Sequence, residues 1–108
     1  HNYEDTNNHT TIHTHQMLSA VHGQVWFTET GGIVRFGRHP FSPGRAAKAT
    51  KFMFKLAKIS PRIKRIYVYD WSGVSRGARF DAGLMDPHGH PRPAYWVVKA
   101  YLARSRGR

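Results

Sequence analysis

Cysteine is absent from this sequence, which excludes a disulfide framework, a thiol nucleophile and a Cys-ligated zinc. Carboxylates are scarce: 6 Asp and Glu stand against 17 Lys and Arg in 108 residues, leaving a formal charge of +11. Lys and Arg are themselves missing before Arg35, where His1, His9, His13, His15 and His22 fall instead. No apolar run approaches the roughly 18 residues of a membrane-spanning helix, and no signal-peptide pattern opens the chain. The first residue is His1 rather than Met. The chain is therefore expected to be processed, truncated or numbered from inside a longer product.

What is present argues for a folded domain. Apolar residues make up 40% and aromatics 13%, too much for a disordered basic tail. From Arg35 onward Lys or Arg recurs every few residues without forming a block. That spread favours weak, non-specific binding of polyanions.

Periodicity divides the chain into alternating elements. Residues 1–10 are polar and turn-rich. A short helix is predicted over 11–22, with Thr10 or Thr11 at its N-cap and Gly23 just past its end. Val25-Trp26-Phe27-Thr28-Glu29 reads as a compact strand, followed by a Gly-rich loop over 30–44 with Pro40 and Pro43. The clearest helix covers 45–59. Ala46, Ala49, Met53 and Leu56 line one side of it, and Lys48, Lys51, Lys55 and Lys58 the other. Pro61 closes it. Residues 64–70 form a second strand, whose unbroken apolar stretch from Ile66 to Tyr69 suits a strand covered on both faces. A second long loop, 71–92, leads to Pro93 at the start of a last helix over 93–104.

The order is helix, strand, helix, strand, helix. Two strands separated by a helix form a βα repeat with parallel pairing. Both long loops follow a strand's C-terminal end, while the return from helix to strand is tight. That asymmetry is the pattern of the (β/α)₈ or TIM barrel, which needs about 250 residues. The expected fold class is therefore α/β: a partial (β/α)₈ TIM barrel, a fragment supplying about two of its eight βα units, preceded by one helix.

Chemistry is expected at the strand ends. Glu29 closes an otherwise apolar strand, where a carboxylate must be paired or exposed. It is either a structural partner of Arg35 or Arg38, or a carboxylate at the working end of a barrel. Tyr67, Tyr69 and Trp71 alternate and would share one direction if the strand ran on to Trp71. Asp70 then reads as a loop anchor. The His residues form no metal-ligand spacing: His13 and His15 are two apart on a helix, and His88 and His90 flank a turn glycine. Gly31-Gly32 matches no nucleotide-binding pattern. No metal and no cofactor is expected.

The strings V-W-F-T-E-T-G-G (25–32), Y-V-Y-D-W (67–71) and F-D-A-G-L-M-D-P-H-G-H-P-R-P-A-Y (80–95), preceded by H-N-Y (1–3), resemble the C-terminal part of clan A retaining glycoside hydrolases, from the end of barrel strand six to helix eight. The resemblance implies that Glu29 is the nucleophile of the parent enzyme, with Tyr3 hydrogen-bonded to it. It further implies that Trp71, Tyr3, His1 and Tyr69 bind substrate. It implies a carbohydrate substrate, cleavage of an O-glycosidic bond, and a secreted or surface-located parent. The family's acid/base Glu belongs to strand four, in the missing N-terminal barrel portion. Asp70, Asp81 and Asp86 are poor substitutes, so the chain alone is expected to be inactive. The alternatives are a small basic nucleic-acid-binding protein or a non-catalytic carbohydrate-binding module.

Overall fold

The structure, a computed structural model, describes residues 2–106. In chain order the elements are α1 (Tyr3–Asn8), α2 (Ile12–Ala20), β1 (Val25–Thr30), β2 (Arg35–Phe36), α3 (Pro43–Leu56), β3 (Ile63–Val68), β4 (Phe80–Asp81) and α4 (Pro93–Arg106). Among the described residues this is an alternating α/β arrangement of four helices with two small open sheets. In one sheet β1 lies parallel to β3; in the other β2 pairs antiparallel with β4. The Cα atoms span 41 × 35 × 18 Å. With a helix about 10 Å across, the thin axis holds one sheet and one layer of helices.

The connection between the parallel strands is α3. It starts at Pro43, two residues earlier than periodicity indicated, because Ser42 caps it and Pro43 suits its first turn. The Ser42 side chain accepts a hydrogen bond from the Arg45 amide at 3.1 Å. Ala46, Ala49, Met53 and Leu56 are all buried, and the lysine row faces solvent, as the spacing predicted. The helix ends at Leu56 rather than Ile59. Lys58 and Ile59 bond back three residues, tightening the exit before Pro61. Leu56 then joins Val25, Phe27 and Ile63 in the core, flanked by Met17, Leu18, Phe52 and Ile66.

Two helices, not one, precede β1. The polar stretch 1–10 contains α1, which propensity alone does not favour. It is held by Asp5, fully buried between α1 and α2. Its carboxylate accepts hydrogen bonds from the Thr10 hydroxyl (2.7 Å), and from the Thr14 amide (2.7 Å) and hydroxyl (2.6 Å). The other end of α2 is closed by Arg62, whose guanidinium donates to the Leu18, Val21 and Gly23 carbonyls. Thr11 is the N-cap of α2, as expected.

The covering of β3 differs from the expectation. Only one face of the sheet is packed against helices: Tyr67 is 46% and Tyr69 44% exposed, alongside Trp26 at 48%. The apolar run from Ile66 to Tyr69 is thus two alternating sets. Ile66 turns to the helices and the tyrosines to the open face. The two long loops also meet each other, through the β2–β4 pairing of Arg35 with Asp81 and Phe36 with Phe80.

Candidate active site

The C-terminal ends of β1 and β3 lie side by side, with α1 laid against them. Strand β1 alternates buried and exposed from Val25 to Thr28. A register shift between Phe27 and Thr30 then breaks the period. Thr30 therefore returns to the helix side, its hydroxyl 2.9 Å from that of Thr6. Glu29, one residue before it, is left toward the open face with Trp26.

Helix α1 docks on this strand end through polar contacts. The Asn2 amide donates to the Glu29 carbonyl at 3.2 Å. Asn7 reaches past it, donating to the Gly31 carbonyl (2.8 Å) and accepting from the Ile33 amide (2.7 Å). The backbones pack closely here. A Cβ on Gly31 would sit 2.3 Å from the Tyr69 carbonyl oxygen, and one on Gly32 2.1 Å from that of Ala46. The glycine pair exists for this approach.

These contacts bring the Tyr3 hydroxyl within electrostatic reach of the Glu29 carboxylate. Burial pushes the Tyr3 hydroxyl well above the ordinary tyrosine range; the Glu29 carboxylate, and the nearby Tyr69 and Asp70, add to it. Tyr3 is therefore the proton-bearing partner. Its ring stands edge-on to Phe80 at 5.8 Å, and Phe80 in turn meets Phe36 at 5.4 Å and Tyr69 at 6.3 Å. Phe80 is the residue that sequence reading missed. It lies more than fifty residues from Glu29 and reaches the site only through the β2–β4 pairing.

Beyond β3 the strand stops at Val68, so the alternation does not carry to Trp71. Trp71 is 60% exposed, and its ring meets Tyr95 of α4 edge-on at 6.0 Å. Asp70 is held through its backbone: its amide donates to Ala82 and its carbonyl accepts from Leu84. Burial, then the charge of Asp81, raises the Asp70 carboxyl above its usual range. Asp81 has the opposite fate. Burial would raise it, but Arg92 grips both oxygens at 2.8 and 2.9 Å, and the Gly83 and Val74 amides add further bonds. Its carboxyl is held low as a result. His1 lies outside the described residues. Among the described residues no group of three or more His, Asp or Glu side chains is placed to hold a metal. Nor is any helix among them long and apolar enough to cross a membrane.

No protein-family profile and no curated protein matches the sequence. Solved structures do share the fold. A GH2 β-galacturonidase from Eisenbergiella tayi matches 69% of this chain at 24% identity and a TM-score of 0.56. A Faecalibacterium prausnitzii β-glucuronidase matches 90% at 13% identity and a TM-score of 0.66. The Bifidobacterium dentium β-glucuronidase, solved with coumarin-3-O-glucuronide, matches 87% at 15% identity and 0.61. The chain spans 16%, 19% and 17% of those proteins. The chain shares the fold of a part of these proteins.

Proposed function

We propose that this chain is the C-terminal portion of a retaining glycoside hydrolase barrel, its last two βα units, with Glu29 as the nucleophile. The observation that carries the reading is the placing of Tyr3 beside the Glu29 carboxylate at the C-terminal end of a parallel strand, where barrel enzymes build their chemistry. A nucleophilic carboxylate must be ionised and oriented. Tyr3 supplies orientation by donating to one oxygen and leaving the other for the anomeric carbon. Attack there forms a glycosyl ester and breaks the bond to the leaving oxygen, which needs a proton from a second carboxylate about 5–5.5 Å away. Asp5 is saturated with hydrogen bonds, Asp81 is clasped by Arg92, Asp86 lies in the outer turn with His90, Glu4 is exposed on α1, and Asp70, its backbone tied to Ala82 and Leu84, is read as a loop anchor. In this reading the acid/base belongs to polypeptide beyond these residues, and the chain alone is inactive. Trp71 and Tyr69, exposed past β3, offer apolar faces to a sugar ring. The names of the structural neighbours make β-uronides the first substrates to try.

The test uses the enzyme in which these residues are joined to the rest of the barrel. Glu29→Gln should lower turnover by orders of magnitude while the melting temperature stays within a few degrees. A slow glycoside with an activated leaving group should esterify Glu29, located by peptide mass. Near-normal turnover of the variant, or an adduct on another carboxylate, would overturn the assignment.

A further inference from the structure

Tyr3 stands in the first turn of α1, a helix of six residues that begins without a side-chain cap. The polar contacts of Asn2 and Asn7 fix the backbone of that helix against the end of β1. They leave the direction of the phenol to its rotamer, and a side chain has three staggered choices about its first bond. Two of the three would carry the hydroxyl away from the Glu29 carboxylate. What opposes such a swing is a second ring. Phe80 meets the Tyr3 ring edge-on, 5.8 Å between centroids and 83° between planes. This is one of the arrangements that aromatic rings prefer, because the positive edge of one faces the negative face of the other.

Phe80 can hold a neighbour because it is held itself. It also meets Phe36 of β2 at 5.4 Å and Tyr69, just past β3, at 6.3 Å. Its backbone lies in the β2–β4 ladder, opposite Phe36. The next residue, Asp81, is clamped. Arg92 donates to both of its carboxylate oxygens, and the Val34 amide donates to its carbonyl at 2.7 Å. Neighbouring residues in a strand point to opposite faces. Anchoring Asp81 on one face therefore aims Phe80 at Tyr3 on the other. We propose that Phe80 is a positioning residue for the nucleophile: acting through Tyr3, it keeps the phenol hydroxyl beside the Glu29 carboxylate. The role rests on Glu29 being the nucleophile. It requires no contact between Phe80 and the sugar, which separates it from the platform role given to Trp71 and Tyr69.

Steady-state kinetics of the enzyme completed by the rest of the barrel tests this as a double-mutant cycle. Phe80→Leu keeps apolar bulk but loses the ring edge, and should lower kcat about tenfold with KM within about twofold. Phe80→Tyr keeps the ring and should hold kcat within about threefold of the unsubstituted enzyme. In a Tyr3→Phe background there is no hydroxyl to place, so Phe80→Leu should cost less than about a further twofold. An equal loss in both backgrounds overturns the proposal, since loosened loop packing alone gives that result. So does an unchanged kcat in Phe80→Leu, and so does a raised KM at unchanged kcat, which marks a contact with the sugar. Phe80→Met repeats the cycle should the leucine variant fail to fold. The two assignments fail in different measurements. Near-normal turnover of Glu29→Gln removes the nucleophile and this role with it. Additive losses at Tyr3 and Phe80, with Glu29→Gln inactive, remove the positioning role alone.

Discussion

Tyr3 and Glu29 are separated in the chain by α2, yet the Tyr3 hydroxyl stands beside the Glu29 carboxylate at the end of β1. Tyr3 stands at the first turn of α1, so its hydroxyl is placed by everything that docks that helix. A hydrogen bond to a charged group contributes about 1.5–3 kcal/mol. If Tyr3 orients the attacking carboxylate, Tyr3→Phe in the barrel-complete enzyme should lower kcat about 10- to 100-fold. The ring stays on Phe80, so KM should change little. Steady-state kinetics with a matched thermal melt checks this; an unchanged kcat removes Tyr3 from the site.

Asp5 should govern acid stability. Burial works against its charge, but the bonds from Thr14 and Thr10, aided by His13, hold its carboxyl at about 2, against an ordinary 3.8. A carboxyl lowered on folding stabilises the protein above its unfolded pKa, and that share disappears as pH falls through its folded value. The loss should therefore run from about pH 4 down to about pH 2, and amount to about 2 kcal/mol. Urea titrations at stepped pH read it directly. Asp5→Asn should flatten the slope in that window and lower stability above it.

The buried Arg92–Asp81 pair ties the loop after β3 to the entry of α4. Removing one partner strands the other charge. Arg92→Ala should destabilise by about 3–5 kcal/mol. Combining Arg92→Met with Asp81→Leu should recover much of that loss. Denaturant midpoints of the three proteins decide the matter, and a double variant as weak as the single would refute it.

The glycine pair should tolerate no side chain. Gly31→Ala drives a Cβ into the Tyr69 carbonyl and Gly32→Ala into that of Ala46, both backbone atoms that cannot swing aside. Each should cost about 1–3 kcal/mol or more, as overpacking does. Gly44→Ala, with open space around it, is the neutral control. Thermal unfolding distinguishes them.

The local pattern along the chain determined the elements and their order. The 3.6-residue apolar spacing placed α3 and its buried side, and the compact run at 25–29 placed β1 with Glu29 near its end. The parallel pairing followed from the helix between the strands. These were legible because each depends on neighbours a few residues apart. Tertiary structure alone decided the rest. The polar start of the chain is helical because Asp5 finds its donors on α2, and it is those contacts that carry Tyr3 to Glu29. The register shift in β1 turns Glu29 to the open face, against the alternation its own strand began. Phe80 enters the site, and Asp81 meets Arg92, only because two loops with little pattern of their own fold against each other. In each case the stabilising partner is distant in sequence. Periodicity reports which side of an element is apolar; it carries no information on which remote group will be there to meet it.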